Sequence, residues 1–408
     1  MEDDRGVYAT FGGEARIRWE RLDPQRFGLS GGKPFTARGE RLFLHADLHR
    51  DEWRVFVQLS AASEVHWPVA RPADKSEPDV AQSFVDWEFN GKPTAGVPTE
   101  RLRIGRFELP FTTNRLVGVN DPANLRRTFQ GGMLDFGLGR IPVTAFATRP
   151  MINETGGFDD HWSRSERFSG IDATLFKQSS ATSPIDSINA FVFDRLRNFA
   201  QFQNGSGAEH VQTWGTRVAA HLGGLRAAAQ LTLQHGRLGG QRMDGNGFTL
   251  DVSDSLGGPW APTLSASFGR ASGDARSGDG RLDTFDPLYP NLSYSTDAGY
   301  FYPGNNEDIS AAIGIQPAAA FQLQVGTYGI RRLRSEDAAY QPPGLVLLPG
   351  TGSGGSRLAS LPFFKAIAQL DRYDDLALSL VTLRPAQTLL QAHARLSRYA
   401  MAQWTFRF

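Results

Sequence analysis

The chain has 408 residues, with 43 Lys and Arg balanced by 43 Asp and Glu, 44 Gly, 28 Phe and no Cys. Zero net charge removes the electrostatic reason to expect a nucleic-acid partner, and the absence of Cys excludes disulfide scaffolds, thiolate zinc sites and cysteine nucleophiles. No apolar run approaches the roughly 18 residues a transmembrane helix needs, so a chain that spans a bilayer must do so as a closed barrel.

The opening, Met1-Glu2-Asp3-Asp4, lacks a basic region followed by an apolar one and reads as a mature or recombinant start after signal-peptide removal. Period-two alternation begins almost at once, near Tyr8, so no plug domain is expected ahead of the first strand. Ala15, Ile17 and Trp19 share one face, and Glu14, Arg16, Arg18 and Glu20 share the other. Leu42, Leu44, Ala46 and Leu48 then oppose Arg41, Phe43, His45, Asp47 and His49. Trp53, Val55, Val57, Leu59 and Ala61 oppose Arg54, Phe56, Gln58 and Ser60, and Ala81, Val85, Trp87 and Phe89 oppose Gln82, Asp86 and Glu88. Weaker segments over 141–149 and 244–252 flank a clear one at 226–234, where Ala227, Ala229, Leu231 and Leu233 face away from Arg226, Gln230 and Gln234. Phe321, Leu323 and Val325 alternate with Gln322 and Gln324. The last strand sets Ala400, Ala402, Trp404, Phe406 and Phe408 against Met401, Gln403, Thr405 and Arg407, a terminal aromatic pattern that resembles the recognition signal of outer-membrane barrels.

One face of these segments is apolar and the other carries many charges, which lipid outside and water inside would require. Burying that many ions in a dry sandwich would cost several kcal/mol each. Trp19, Trp53, Trp87, Trp214, Trp260 and Trp404 fall near strand ends, as interfacial girdles do. Short links near Arg50-Asp51, Gly139-Arg140, Gly223-Gly224, Pro317-Ala318 and Tyr373-Asp374, with longer ones over 90–99 and 177–184, read as periplasmic turns. The stretches around 21–36, 63–78, 150–163, 197–208, 272–305, 333–356 and 385–395 read as extracellular loops. The expected fold is all-β: one transmembrane antiparallel barrel over residues 1–408 with about 18 strands, or 16 if the weak segments fail, and an interior open as a water channel.

Arginine suits a path for carboxylated sugars, because its planar fork grips a carboxylate while pore water keeps the contact weak enough to release. The candidate luminal set is Arg16, Arg18, Arg41, Arg54, Arg103, Arg106, Arg115, Arg127, Arg217 and Arg226, with Asp47, Asp86, Glu88 and Asp135 as counter-charges. The bland alternative is a set of ordinary barrel-lining ion pairs. Parity sets Arg106 on the face of Leu102 and Ile104, so either a bulge at Gly105 turns Arg106 inward or Arg103 is the luminal contact; the bulge is favoured. His45 and His49 lie about 13 Å apart on a strand, too far to share a metal. Asp274, Asp279, Asp283 and Asp286 share one long loop and could weakly hold calcium, although their spacing is not that of an EF-hand. No cofactor is expected, and Gly350–Gly355 is not a phosphate loop because no Lys-Ser/Thr pair follows.

Two stretches resemble the alginate-export family of outer-membrane porins. The first runs from Leu102-Arg103-Ile104-Gly105-Arg106 through Asn114-Arg115-Leu116-Val117-Gly118 to Arg127-Thr128-Phe129-Gln130-Gly131. The second joins Ala271-Ser272-Gly273-Asp274 to Thr284-Phe285-Asp286-Pro287-Leu288-Tyr289-Pro290-Asn291. The resemblance implies an 18-stranded monomeric barrel in the outer membrane of a Gram-negative bacterium, with an arginine-rich constriction that passes uronate polymers. Its partners would be outer-membrane lipid and lipopolysaccharide, the barrel-assembly machinery and an acidic polysaccharide or its oligomers. Two other functions compete: an uptake porin for small organic anions or sugars, and a barrel enzyme using a rim group such as Asp159-Asp160-His161.

Overall fold

Alternating side chains leave each of these segments only one way to satisfy its backbone in lipid, which is pairing on both edges, and the chain closes on itself to achieve it. The computed structural model describes residues 6–66, 73–89, 100–111, 113, 115–177 and 183–408. Asn114, the expected turn over 90–99, most of that over 177–184 and residues 67–72 of the loop after the third strand lie outside the described residues.

Eighteen antiparallel strands form the wall. They are β1 (Val7–Asp23), β2 (Phe35–Arg50), β3 (Trp53–Val65), β4 (Ser76–Glu88), β5 (Arg101–Phe107), β6 (Phe129–Leu138), β7 (Ile141–Ile152), β8 (Glu166–Lys177) and β9 (Ile185–Phe202). The circuit continues with β10 (Gly205–Leu222), β11 (Leu225–Leu238), β12 (Gln241–Ser255), β13 (Thr263–Ala271), β14 (Asn306–Ala318), β15 (Phe321–Arg332), β16 (Arg357–Gln369), β17 (Asp374–Pro385) and β18 (Ser397–Arg407). Each pairs with the next, and β18 closes the ring on β1 with Trp404 opposite Ile17. The alternative of sixteen fails because β7 and β12, weak in sequence, are paired on both edges.

The apolar rows face outward as expected: Leu42, Leu44 and Leu48 of β2 and Leu376, Leu378 and Leu380 of β17 are exposed on the wall. Trp53 and Trp87 stack at 5.8 Å near one rim, whereas Trp19 and Trp214 mark the other. On β4 parity slips, because a bulge between Gln82 and Val80 buries Ala81, which the period-two reading assigns to the lipid face.

The two rims differ. Short links at 51–52, 139–140, 223–224, 319–320 and 370–373 join strands at one end, the fourth displaced from Pro317-Ala318 because β14 runs through Ala318. At the other end the expected loop over 197–208 is a tight hairpin between Phe202 and Gly205, matched by a second between Leu238 and Gln241. Several of the long connections there turn inward. Leu109, Leu116 and Val117 of 108–128, with Phe285, Leu288 and Tyr289 of 272–305, pack on wall residues Phe129, Phe146, Phe168 and Phe193 inside the barrel. A second interior cluster joins Phe27, Tyr300, Phe301, Leu347 and Leu389 of helix α1 (Gln387–Gln391) to Leu361, Leu383 and Met401 of the wall. An 18-stranded ring is too wide for its own side chains to fill, and apolar loop residues gain by leaving water, so the loops fold into the mouth. The open channel expected from strand number is therefore narrowed across its long-loop half.

Candidate functional site

β1 and β2 present Arg16, Arg18 and Arg41 to the lumen, and the 108–128 loop is laid across them. Arg16 donates to the carbonyls of Asp121 and Ala123 at 2.9 and 2.8 Å and to Asn124 Oδ1 at 3.1 Å. Arg18 donates to the Pro122 carbonyl at 2.6 Å and to Tyr399 at 3.0 Å. Arg41 bridges Glu14 and Asp121, reaching Asp121 Oδ1 at 3.0 Å. These guanidiniums are buried and occupied by the loop they hold. Burial by itself would raise the pKa of Asp121, but Arg41, Arg126 and Arg16 outweigh it and hold the carboxyl far below the usual carboxylate range.

Toward the short-turn rim, β2 to β6 carry a second ladder. Arg54 grips Asp47 with both arms at 2.8 Å, Arg103 takes Asp86 at 2.6 and 2.7 Å, and Arg101 reaches Asp135 at 2.5 Å. Thr144 donates to the other Asp135 oxygen at 2.6 Å. Glu88, last in β4, lies in register with Arg101. Arg103 also lies over the Phe84 ring at 3.8 Å, a cation stacked on an aromatic face.

Arg115 and Arg127 belong to the inward loop and serve its joints. Arg115 pairs with Asp308 of β14 at 2.9 Å. Arg127 donates to the carbonyls of Gly118 and Tyr289 at 2.8 and 2.7 Å, tying loop 108–128 to loop 272–305, and burial lowers its pKa. Opposite, Asp286 is clasped by Arg195 and Arg197, which also hold Glu209. That cluster was not read from the sequence, although Arg195 and Arg197 continue the parity of the buried Phe191 and Phe193.

Two expectations are corrected. Arg106 does not turn into the lumen: the ladder of β5 with β4 and β6 runs without a slip, and Gly105 absorbs an unusual φ of 141° in place. Arg106 instead faces a cleft on the outer wall beside Val55, Val85, Ile104, Phe158 and Trp162, where Thr128 and Asp160 accept from it at 2.9 and 2.8 Å. Nor do Asp274, Asp279, Asp283 and Asp286 converge on a cation: Asp274 accepts from Asn204, Asp279 from the Arg281 backbone, Asp283 pairs with Arg281 and Asp286 with Arg195. Among the described residues, the carboxylates that gather are Asp79, Asp159 and Asp160, and Arg106 neutralises that group.

Between the clamps two chambers remain. One, of about 470 Å³ at the long-loop mouth, is lined by Arg18, Arg126 and Arg127 against Glu20, Asp74 and Asp297. The other, of about 430 Å³ on the lower wall, holds Arg217 and Arg226 with Asp186, Asp251, Ser253, Ser265, Ser267 and Ser310. Neither Arg217 nor Arg226 has an ion-pair partner among the described residues, and the Arg217 Nε is buried without a hydrogen bond.

The family whose description is Alginate export matches residues 7–403. No curated protein matches the chain. Among solved structures, Pseudomonas aeruginosa OccK9 (OpdG) superposes with a TM-score of 0.63 at 14% identity, covering 98% of each chain. Pseudomonas aeruginosa OccK2 (OpdF) gives 0.62 at 13% identity over 98% of this chain and 97% of its own. The same OccK2 in complex with glucuronate gives 0.57 at 12% identity over 98% and 96%. These likenesses bear on the barrel alone. With nearly every strand inside the matched span, the chain belongs to the alginate-export family of outer-membrane β-barrel porins and resides in the outer membrane of a Gram-negative bacterium.

Proposed function

We propose that this porin passes an acidic, alginate-like polyuronate or its oligomers by diffusion, with Arg217 and Arg226 as the contacts that carboxylates exchange along the lower wall. The observation that carries the reading is that neither cation has an ion-pair partner among the described residues of this hydroxyl-lined chamber, with the Arg217 Nε buried and without a hydrogen bond. Each guanidinium can grip a carboxylate with two parallel hydrogen bonds, and the surrounding water keeps the exchange fast. Arg54, Arg101 and Arg103 form a second row whose bound aspartates keep them weaker competitors for substrate. Arg16, Arg18, Arg41, Arg115 and Arg127 shape the path by holding loops. Membership of the alginate-export family and the glucuronate complex of OccK2 favour a uronate over an unrelated anion. The long-loop rim faces the cell exterior in this reading, as the longer loops of such barrels do, and the barrel works as a monomer inserted by the assembly machinery.

Planar-bilayer recording of the folded protein titrated with oligouronates tests it. Block should weaken about tenfold in Arg217→Ser/Arg226→Ser and little in Arg54→Ser. Conductance indifferent to uronate but blocked by a neutral sugar would replace the substrate and leave the pore.

The narrowing of the long-loop half favours one second reading, an uptake channel for small organic anions or sugars. Neighbouring catabolic genes would support it, and polymer-synthesis genes would oppose it. An enzyme at Asp159-Asp160-His161 is disfavoured because Arg106 occupies Asp160.

A further inference from the structure

The wall is tallest between β9 and β12, where two tight hairpins replace long loops, and on β10 to β12 its outer face changes character over a few residues, while on β9 Leu196 and Phe199 stay exposed. Trp214 of β10 lies opposite Leu233 of β11, the last outward apolar pair of these strands, and both are exposed. Two residues further toward the long-loop rim, Gln212 faces His235, which faces Asp244 of β12. At the next outward rung His210 lies opposite Arg237, Arg237 opposite Arg242, and Arg242 beside Arg281. The ladders carry no slip here, so Arg237 and Arg242 share the face of Leu233 and Trp214.

Like charges placed directly across a ladder repel, so a row of guanidiniums is costly unless an anion joins it. Asp244 offsets part of the charge, accepting from Arg242 at 2.6 Å and Arg281 at 3.2 Å, while Arg237 has no ion-pair partner among the described residues. Beside the row, a cavity of about 400 Å³ is lined by Arg270, Arg281 and Arg334 with Asp244 and Asp283. Arg270 and Arg334 likewise lack an ion pair among the described residues. With Arg331 beside them, Arg237, Arg242, Arg270, Arg281 and Arg334 thus confront four carboxylates: Asp244, Asp283, Asp194 held by His210, and Glu307, which lies opposite Arg270 and pairs with Arg331.

We infer that this outward surface binds the phosphate groups of an anionic glycolipid in the outer leaflet. Four residues separate Trp214 from His210, roughly 13 Å along a strand and about 10 Å above the hydrocarbon edge after tilt, the depth of a phosphorylated sugar headgroup. Arginine forks match phosphate, and a site that continues directly from the lipid-facing rows is reached by a lipid already held by its acyl chains. The inference rests on the reading that the long-loop rim faces outward.

Native mass spectrometry of the full-length protein in detergent tests it, with bisphosphorylated lipid A, dephosphorylated lipid A and inorganic phosphate as probes. A stoichiometric adduct is expected with the bisphosphorylated form, falling at least tenfold without its phosphates and in Arg242→Gln/Arg270→Gln/Arg281→Gln. Equal retention of both lipid A forms, or an undiminished adduct in the triple variant, overturns the inference. So does full displacement by millimolar inorganic phosphate, which would assign the row to a soluble anion. Heat-shifted gel mobility and unchanged single-channel conductance report that the variant is folded; should it fail, Arg237→Gln/Arg334→Gln, which touches no ion pair seen here, replaces it. Labelling of Ser277→Cys on intact cells checks the orientation, and a residue reached only from the periplasm overturns the inference too. None of these arginines faces the lumen, so a missing uronate block would sink the transport reading and leave the adduct assay standing.

Discussion

Arg41 donates to Glu14 across its strand pair and to Asp121 of the inward loop from a single guanidinium that is only 2% exposed. Removing it in Arg41→Ala leaves both carboxylates without that partner, at a cost near the low end of the ~3–5 kcal/mol for breaking a buried pair, because Asp121 stays half exposed. The expected result is a lower unfolding temperature on heat-modifiability gels and cleavage of the 119–126 segment by added protease. Asp121 also sets a pH dependence. Its carboxyl is held well below the ordinary range, so its contribution to docking is complete above its unfolded pKa of about 4 and drains away as pH falls through the depressed value. Loop-derived current noise should stay flat from about pH 7 to about pH 4 and grow only below, and in Asp121→Asn it should be high at neutral pH. Noise that rises in the wild type near about pH 6 would remove Asp121 from the clamp.

β5 shows how one element settles what its neighbours can do. It is short, its chain dives into the lumen after Phe107, and its register holds only because Gly105 takes a conformation that side chains avoid. A Cβ there would lie 2.2 Å from the Ser83 carbonyl oxygen and 2.6 Å from Phe84 Cα. Gly105→Ala should therefore destabilise by about 1–3 kcal/mol or more, seen as a fall in the temperature at which the folded gel band is lost. An unchanged temperature would mean that β5 can slip into the bulge expected from the sequence. The 108–128 loop is the element most open to functional test. Deleting 119–126 would free Arg16, Arg18 and Arg41 to the lumen, and single-channel conductance should rise severalfold if that loop sets the constriction. Period-two reading placed Arg16, Arg18, Arg41, Arg54 and Arg103 on the inward face correctly, since an unbroken ladder obeys parity. It missed Ala81, because a bulge adds a residue that no local pattern announces.

As a whole molecule, the barrel separates lipid from interior by one residue step along a strand wherever the ladder is unbroken. Leu378 of β17 is exposed on the wall, and Ala377 beside it points into the ring. Leu378→Arg should cost ~2–4 kcal/mol in liposome unfolding titrations, the penalty of a cation facing mid-bilayer, whereas Ala377→Arg should cost far less. Equal costs would contradict the assignment of faces. The interior is divided too, into dry aromatic packing around Phe129, Phe168 and Tyr289 and wet chambers around Arg217 and Arg226.

The amino-acid sequence alone determined the barrel and, wherever the ladder is unbroken, which side chains face lipid, because alternation with period two is a local property that backbone hydrogen bonding in a bilayer enforces; it left eighteen strands against sixteen to the pairing of β7 and β12. It also marked most of the arginines. What only tertiary structure decided is the work each arginine does: Arg16 and Arg127 hold loops, Arg106 sits on the outer wall, and Arg217 has no ion pair among the described residues. Those roles depend on where long loops fold, and loop placement follows from contacts between residues more than a hundred positions apart, such as Arg16 with Ala123 and Arg127 with Tyr289.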